Sequence, residues 1–505
     1  VNERLSVVDI AILVGYLALT VGIGCWFAVR KRNADEFMAG GRSLPGWAVG
    51  LSMFGSYVSS ISFLANPGKS FASNWNAFVF CLATPIAAAV AVRYFVPFYR
   101  RSGQVSAYEH LEHRFGPWAR TYAVVCFLLT QVARTGTVLY LLALAVSPLI
   151  GWDVRTIIVL TALMMVVYTV FGGIEAAVWI GVLQSGVLVL APVVCVAALL
   201  LKVPGGLGAI VDAAAASHKF GLGGFGPSLT ESTFWVVLVF GLVGNLGNFS
   251  VDQSYVQRYI TTPTEREARR SVWITAAMYV PVAAVFFFIG TALFALRAAR
   301  PELFPAALAA DRYPDRVFPY FISNLLPTGL SGLVVAGIFA ASMDSSLSSM
   351  ATLTLCDVYK RYVRPGAGER ESLRVLHGST LCWGLLAMGV ALAMVSVRNV
   401  LDVWWEMAGV CSGGMFGLFV LGLISRRAGN PAAAAGVCAG VLAILWLTFS
   451  NRLPGGWPRN PMHAFMTTVI GTLLVVLVGL GVSRVTGRSR PRGRPVRVPH
   501  EAVAR

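Results

Sequence analysis

Apolar stretches long enough to form spanning helices recur along almost the whole chain, separated by short polar segments rich in arginine. About 20 predominantly apolar residues are needed to cross a hydrocarbon layer of roughly 30 Å. On that measure the pattern predicts about 13 spanning helices. A leader covers residues 7–28. Ten core segments follow, near 47–65, 75–97, 118–150, 156–171, 176–201, 234–259, 272–296, 319–362, 376–395 and 401–424, and two more lie near 432–450 and 463–482. No soluble domain of useful size is left between them, so an all-α membrane protein is expected.

Two core segments are poor as plain lipid helices. Segment 1 contains GLSMFGSYVSSISFLANPG (50–68), and segment 6 contains FGLVGNLGNFSVDQSYVQRY (240–259), with Gly244, Asn245, Gly247, Asn248 and Asp252. They stand five helices apart and so have opposite topology. Interrupted segments at corresponding places in two halves point to a transporter built from an inverted repeat. Small residues used for close helix packing are the alternative. In hydrocarbon an unwound backbone survives only where it lines a cavity or is buried in protein. Carbonyls released near Gly55 and Val58 would suit a small cation, and freed half-helix N-termini would attract an anionic group. The expected organisation is a leader and loop over 1–45, a first repeat over 46–201, a second over 202–425, two closing helices over 426–483 and a basic disordered tail over 484–505.

Composition agrees with a lipid solvent: of 505 residues 56% are hydrophobic and 12% charged, about half the charged share of a soluble domain. The net charge of +17 could suggest nucleic acid, but its distribution follows the positive-inside rule. With the N-terminus outside, Arg30–Lys31–Arg32, Arg100–Arg101, Arg266, Arg269, Arg270, Lys360–Arg361 and the tail all fall on the cytoplasmic side. The first apolar run followed by three cations reads as a retained helix of an inner-membrane protein, not a cleaved signal. The eight cysteines fall singly in hydrophobic segments and the six histidines lack metal-ligand spacing, so neither a disulfide framework nor a zinc site is expected.

Two places carry chemistry. In segment 8, Ser342, Ser345, Ser346 and Ser349 follow the i, i+3, i+4, i+7 spacing of one helix face, with Asp344 on an adjoining face. An intramembrane carboxylate is costly and points to function, and a hard cation such as sodium wants oxygen ligands. The alternative is a face of interhelical hydrogen bonds. In segment 3, Arg134 stands mid-helix, where insertion costs about 2.5–3.5 kcal/mol. Its planar fork best meets a carboxylate. That carboxylate is either an acidic substrate or an internal partner such as Asp252, Glu406 or Asp344.

At these residues the sequence resembles the sodium:solute symporter family, whose members carry glucose, proline or sialic acid. The resemblance spans nearly the whole chain and rests on GGRSLPGWAVGLSMFGSYVSS (40–60), VPFYRRSGQVSAYEHLEHRFG (96–116), GGIEAAVWIGVLQ (172–184), SVDQSYVQRYITTPTEREARRS (250–271), the serine-rich segment 8 ending DVYKRY, and SGGMFGLFVLGLISRRAGNP (412–431). It implies an inverted five-helix repeat of the amino-acid/sodium symporter type, with substrate at mid-membrane and sodium between segments 1 and 8.

Carried over by position, the resemblance implies a main sodium site at Gly55, Val58, Ile338, Ala341 and Ser342, with Ala341 standing where the family often has a second hydroxyl. A second sodium would use Ala341, Asp344 and Ser345. Some members place an aspartate in segment 5 for that ion, where this chain has Gly181, so the carboxylate is read as moved from segment 5 to segment 8. The glucose-type polar residues of segment 1 are absent. Resemblance is nearest to the sialic acid branch, in which an arginine of segment 3 binds the substrate carboxylate. Arg134 matches it, and Tyr57, Ser59 and Ser62 supply hydroxyls from segment 1. Phe78 of segment 2 is carried over as a further substrate-binding residue, although near Phe78 and Cys81 the glutamine that contacts the sugar is missing.

The expected function is therefore sodium-driven import of a small organic solute bearing a carboxylate, such as sialic acid, by alternating access. Sodium is the coupling ion, the bilayer the only large partner, and no organic cofactor or nucleic acid is expected. Within transport, a neutral sugar, polyol or amino acid is the alternative, with Arg134 structural. A membrane sensor domain is the alternative from another class, set against a C-terminus that carries a short basic tail and no kinase. An enzyme is not expected, since no nucleophile–base pair or metal set lies in the membrane.

Overall fold

The computed structural model describes residues 5–28, 33–305, 316–343, 346–395, 400–450 and 458–486; the side chains of Ala28, of Ile61 and of residues 400–411 lie outside that description. The helices are α1 (Val7–Ala28), α2 (Ala34–Ala39), α3 (Gly46–Tyr57), α4 (Ser60–Ala72), α5 (Asn76–Ser102), α6 (Glu109–Phe115), α7 (Pro117–Ile150), α8 (Val154–Lys202), α9 (Gly206–Ala216) and α10 (Phe234–Ser250). They continue with α11 (Gln253–Ile260), α12 (Glu265–Ala299), α13 (Val317–Asn324), α14 (Leu330–Ser342), α15 (Ser346–Leu353, running on as wider turns over Thr354–Val363), α16 (Glu369–Met394), α17 (Val400–Ile424), α18 (Asn430–Phe449) and α19 (Phe465–Thr486). Among the described residues nine helices are long and apolar enough to cross a membrane, or eleven if each of two bent pairs is one span.

Helix α8 has 49 residues, about 73 Å at 1.5 Å per residue, more than twice a hydrocarbon core. It is broken at Gly173, with φ 56° and ψ −154°. That positive φ suits glycine, and a Cβ there would meet the Phe37 carbonyl oxygen at 2.9 Å. The chain reverses at this point. Ser60 reaches the Val138 carbonyl and Arg134 the Ser56 carbonyl, so α7 runs alongside α3 and α4 and ends near the C-terminal end of α4. The first arm of α8 leaves that end and reaches Phe37. The second returns past Leu51, whose carbonyl accepts from Ser185 Oγ at 2.6 Å, and past Gly337, which lies against Ala191.

The expected interruptions are present. Helices α3 and α4 meet at 55° and α10 and α11 at 49°. Val58 is extended, with φ −88° and ψ 101°, and Ser59 caps α4 by accepting from the Ser62 amide. Asp252 caps α11 in the same way, accepting from the Ser254 amide at 2.8 Å. The carbonyls freed by the bends find protein donors, as they must away from water. Ser56 O accepts from Arg134 Nη2 at 3.2 Å and Tyr255 Oη at 3.1 Å. Ser250 O accepts from Tyr99 Oη at 2.7 Å and Val251 O from Tyr108 Oη at 2.8 Å.

Segment 8 departs from the expectation of one helix over 319–362. A separate helix α13 precedes it, Gly329 turns the chain at φ 90°, and α14 then stops at Ser342, with Met343 at φ −87° and ψ 65°. The serine face therefore does not run unbroken from Ser342 to Ser349. Asp344 and Ser345 lie outside the described residues. The leader is tied in by Asp9, which accepts from the Gly329 and Gly332 amides at 2.8 and 2.7 Å at the start of α14.

Candidate functional site

A cavity of about 320 Å³ lies between the two bends, within the size range of small-ligand sites. Tyr57, Ser59 and Ser62 line it from the first bend, Gly247, Asn248, Val251, Asp252 and Tyr255 from the second, and Gln131 and Arg134 from α7. Phe80, Phe240, Val243 and Phe416 form apolar wall, while Ser412 and Thr468 add hydroxyls from α17 and α19. Tyr57 packs against Phe249, Tyr255 and Tyr279 at centroid distances of 5.4, 5.0 and 5.0 Å. An aromatic cluster thus holds the two bends together.

Beside it is a much smaller void of about 10 Å³, lined by Gly55, Ser56, Ser59, Thr135, Gln184, Ala341, Ser342 and Met343. That is close to the space needed to hold one water molecule. Ser342 Oγ donates to Ile338 O at 2.7 Å, and Gln184 Nε2 donates to Met343 O at 2.9 Å. The void brings together hydroxyls and carbonyls from segment 1 and segment 8, the hard-oxygen donor set a small cation takes. Arg134 lines both spaces.

Of the residues singled out from the sequence, Tyr57, Ser59, Ser62 and Arg134 meet in the cavity, and Gly55, Ala341 and Ser342 meet at the void. Val58 and Ile338 are not among the residues lining the void. Phe78 does not reach the cavity as expected: its ring is buried against Trp75 and Phe287, and Phe80, tilted against Phe240, takes its place at the wall. Two residues along a helix are separated by about 200°, so a slip of two puts the other face inward. The pair Asp344 and Ser345, and the side chain of Glu406, lie outside the described residues.

Gly181 lies under Ser52: a Cβ there would meet Ser52 Cα and Cβ, both at 2.8 Å. A larger residue does not fit that contact as it stands.

Sequence reasoning missed Gln131, although it precedes Arg134 by three residues and shares its face. It also missed Arg258, 1% exposed, whose Nη1 donates to Ser52 O at 3.3 Å and to Ser56 Oγ at 2.5 Å. Arg258 and Tyr255 thereby fasten α11 to α3.

Residues 37–440 match the model of the sodium:solute symporter family. The chain is 33% identical over 480 residues to the sodium/sialic acid symporter SiaT of Proteus mirabilis (strain HI4320), covering 94% of each. It is 32% identical to the sodium/sialic acid symporter NanT of Aliivibrio fischeri (strain ATCC 700601 / ES114), covering 92% of this chain and 91% of that protein. Its structure is similar to that of a substrate-bound, outward-open Na+-coupled sialic acid symporter, with a TM-score of 0.89, 30% identity and coverage of 96% and 99%. The broken-helix pairs, the cavity they enclose and these matches agree: this multi-pass membrane transporter belongs to the sodium:solute symporter family.

Proposed function

We propose that the protein couples sodium to the import of a carboxylate-bearing solute of the sialic acid kind, held by Arg134 in the cavity between the bends. The observation that carries this reading is the position of Arg134 on both the cavity and the small void. A sodium ion in the void and the guanidinium beside it put two positive charges in a low-dielectric interior against the Asp252 carboxylate that lines the same cavity, and a second anion is needed to balance the pair. A solute carboxylate supplies that anion. Each ligand then favours binding of the other, and coupling is reciprocal.

Tyr57, Ser59 and Ser62 offer hydroxyls to the body of the solute. Gly55, Ala341 and Ser342 hold sodium at the void, with Val58 and Ile338 contributing carbonyls once the site tightens. A second sodium at Ala341, Asp344 and Ser345 is part of the proposal. It predicts that Asp344→Ser lowers the Hill coefficient for sodium towards one. The two repeats over 46–201 and 202–425 would rock about the cavity, with the leader, the closing pair of helices and the basic tail outside them. The arginine-rich loops support a cytoplasmic membrane location with the N-terminus outside. If two sodium ions accompany a monoanion, one net charge enters and 100 mV adds about 2.3 kcal/mol per cycle.

The test is uptake of radiolabelled N-acetylneuraminate into proteoliposomes under an inward sodium gradient. Uptake that collapses when potassium replaces sodium is expected. Transport of neutral sugars or polyols with no acid uptake would overturn the carboxylate reading.

A further inference from the structure

Gln131 is 2% exposed and lines the cavity one helical turn from Arg134. Its Nε2 donates to Asp252 Oδ2 at 3.0 Å. The other oxygen of Asp252 is held by the Ser254 amide at 2.8 Å, so the carboxylate is fixed by its role as the cap of α11. A carboxylate only accepts, which fixes the amide of Gln131 with its NH2 towards Asp252. The remaining atom, Oε1, is then an acceptor. It is buried and has no hydrogen-bond partner among the described residues, a state that costs about 1–3 kcal/mol.

We infer that Gln131 Oε1 accepts a hydrogen bond from the solute, and that the solute therefore carries a hydroxyl or amide N–H close to its carboxylate. The inference rests on the reading of Arg134 as the carboxylate clamp. Residues three apart on a helix place their Cβ atoms about 5–6 Å from each other. The donor must sit within that reach of the carboxylate, as in hydroxy acids, sugar acids and N-acyl amino acids. A plain aliphatic monocarboxylate leaves Oε1 unpaired and is rejected for that reason, because a site built around a hydrogen bond discriminates against the analogue that lacks it. Asp252 is a positioning residue here: it sets which end of the amide faces the solute.

The test uses the full chain in proteoliposomes with a sodium gradient and three radiolabelled acids: N-acetylneuraminate, 2-hydroxyhexanoate and hexanoate. The last two differ only in the donor. In the unaltered protein the hydroxy acid should enter at least about tenfold faster than hexanoate. Gln131→Met, which keeps the length and removes the amide, should bring the two within about twofold by slowing the hydroxy acid relative to hexanoate. If Gln131→Met does not give a folded protein, Gln131→Asn withdraws the amide by one methylene and must lower the ratio as well. Equal entry of hexanoate and 2-hydroxyhexanoate in the unaltered protein overturns the inference while leaving the carboxylate clamp standing, as does an undiminished ratio in a folded Gln131 variant. Absence of uptake for all three acids overturns the clamp and the inference together.

Discussion

Arg134 Nη2 donates to the Ser56 carbonyl at 3.2 Å, which attaches the cation of α7 to the turn where segment 1 unwinds. The same carbonyl accepts from Tyr255 Oη, so one oxygen joins α7, the first bend and the second. A guanidinium can make this bond and still present other N–H groups to a solute, because it carries five donors in a fixed plane.

An ammonium cannot reproduce that arrangement. Arg134→Lys is expected to reduce acid uptake by at least about tenfold while thermal unfolding in detergent stays near that of the unaltered protein. A variant that fails to insert or unfolds early would assign Arg134 a structural role instead.

Ser342 ends α14 at the void and donates to Ile338 O at 2.7 Å. Replacing it by alanine removes a hydroxyl oxygen from the donor set. The sodium concentration for half-maximal uptake should rise about fivefold, the equivalent of roughly 1 kcal/mol. Unchanged sodium dependence would remove Ser342 from the ion site.

Gly181→Ala tests the contact between α8 and α3. The added Cβ meets Ser52 Cα and Cβ at 2.8 Å, and overpacking of this kind costs about 1–3 kcal/mol. A lower melting temperature in detergent is the expected readout. Ser52→Gly in the same chain should recover only part of the loss, since the Ser52 Cα remains in the way. Full stability of Gly181→Ala alone would mean that the two helices separate freely there.

Away from the cavity, Asp357 is 3% exposed. It pairs with Arg120 and accepts from Ser106 Oγ at 2.9 Å, while Arg120 also meets Glu112 at 3.0 Å and Arg361 pairs with Glu112. The cluster ties α6, α7 and α15 together. Asp357→Ala leaves the buried Arg120 poorly compensated and should cost about 3–5 kcal/mol. Asp357→Leu with Arg120→Met should be less harmful than either change alone, as measured by thermal unfolding.

His110 in α6 lies outside the spans, against Phe98 and Phe419. Burial, helped by the nearby Arg114 and His113, pushes its pKa down to about 4. The unfolded chain, near 6.5, therefore binds the proton first as pH falls. Stability from this group is fully present above about pH 6.5 and declines towards pH 4, because the unfolded state holds more protons in that window. His110→Phe should flatten the fall in melting temperature between those values. An unchanged pH profile would locate the acid sensitivity elsewhere.

Local chemistry is what the sequence alone determined. The bends at Tyr57–Ser59 and Val251–Asp252 were legible because glycine, serine and a capping aspartate concentrated in an apolar segment have few other uses in lipid. Arg134 was legible because a charge at mid-helix is expensive wherever the helix packs. The tertiary structure decided what depends on the rotation and approach of neighbouring helices. A segment apolar all round carries no periodic signal of which face turns inward, so Phe80 rather than Phe78 on the cavity wall could not be read from α5. Neither could the burial of Arg258 against Ser52 and Ser56, or the contact between Gly181 and Ser52, since each pairs residues far apart in the chain. The end of α14 at Ser342 belongs with these: AASMDSS continues a helical pattern in sequence, and the break appears only where Gln184 takes the Met343 carbonyl. The unpaired oxygen of Gln131 is of the same kind, because an amide's free end is defined by the partner its other end has found.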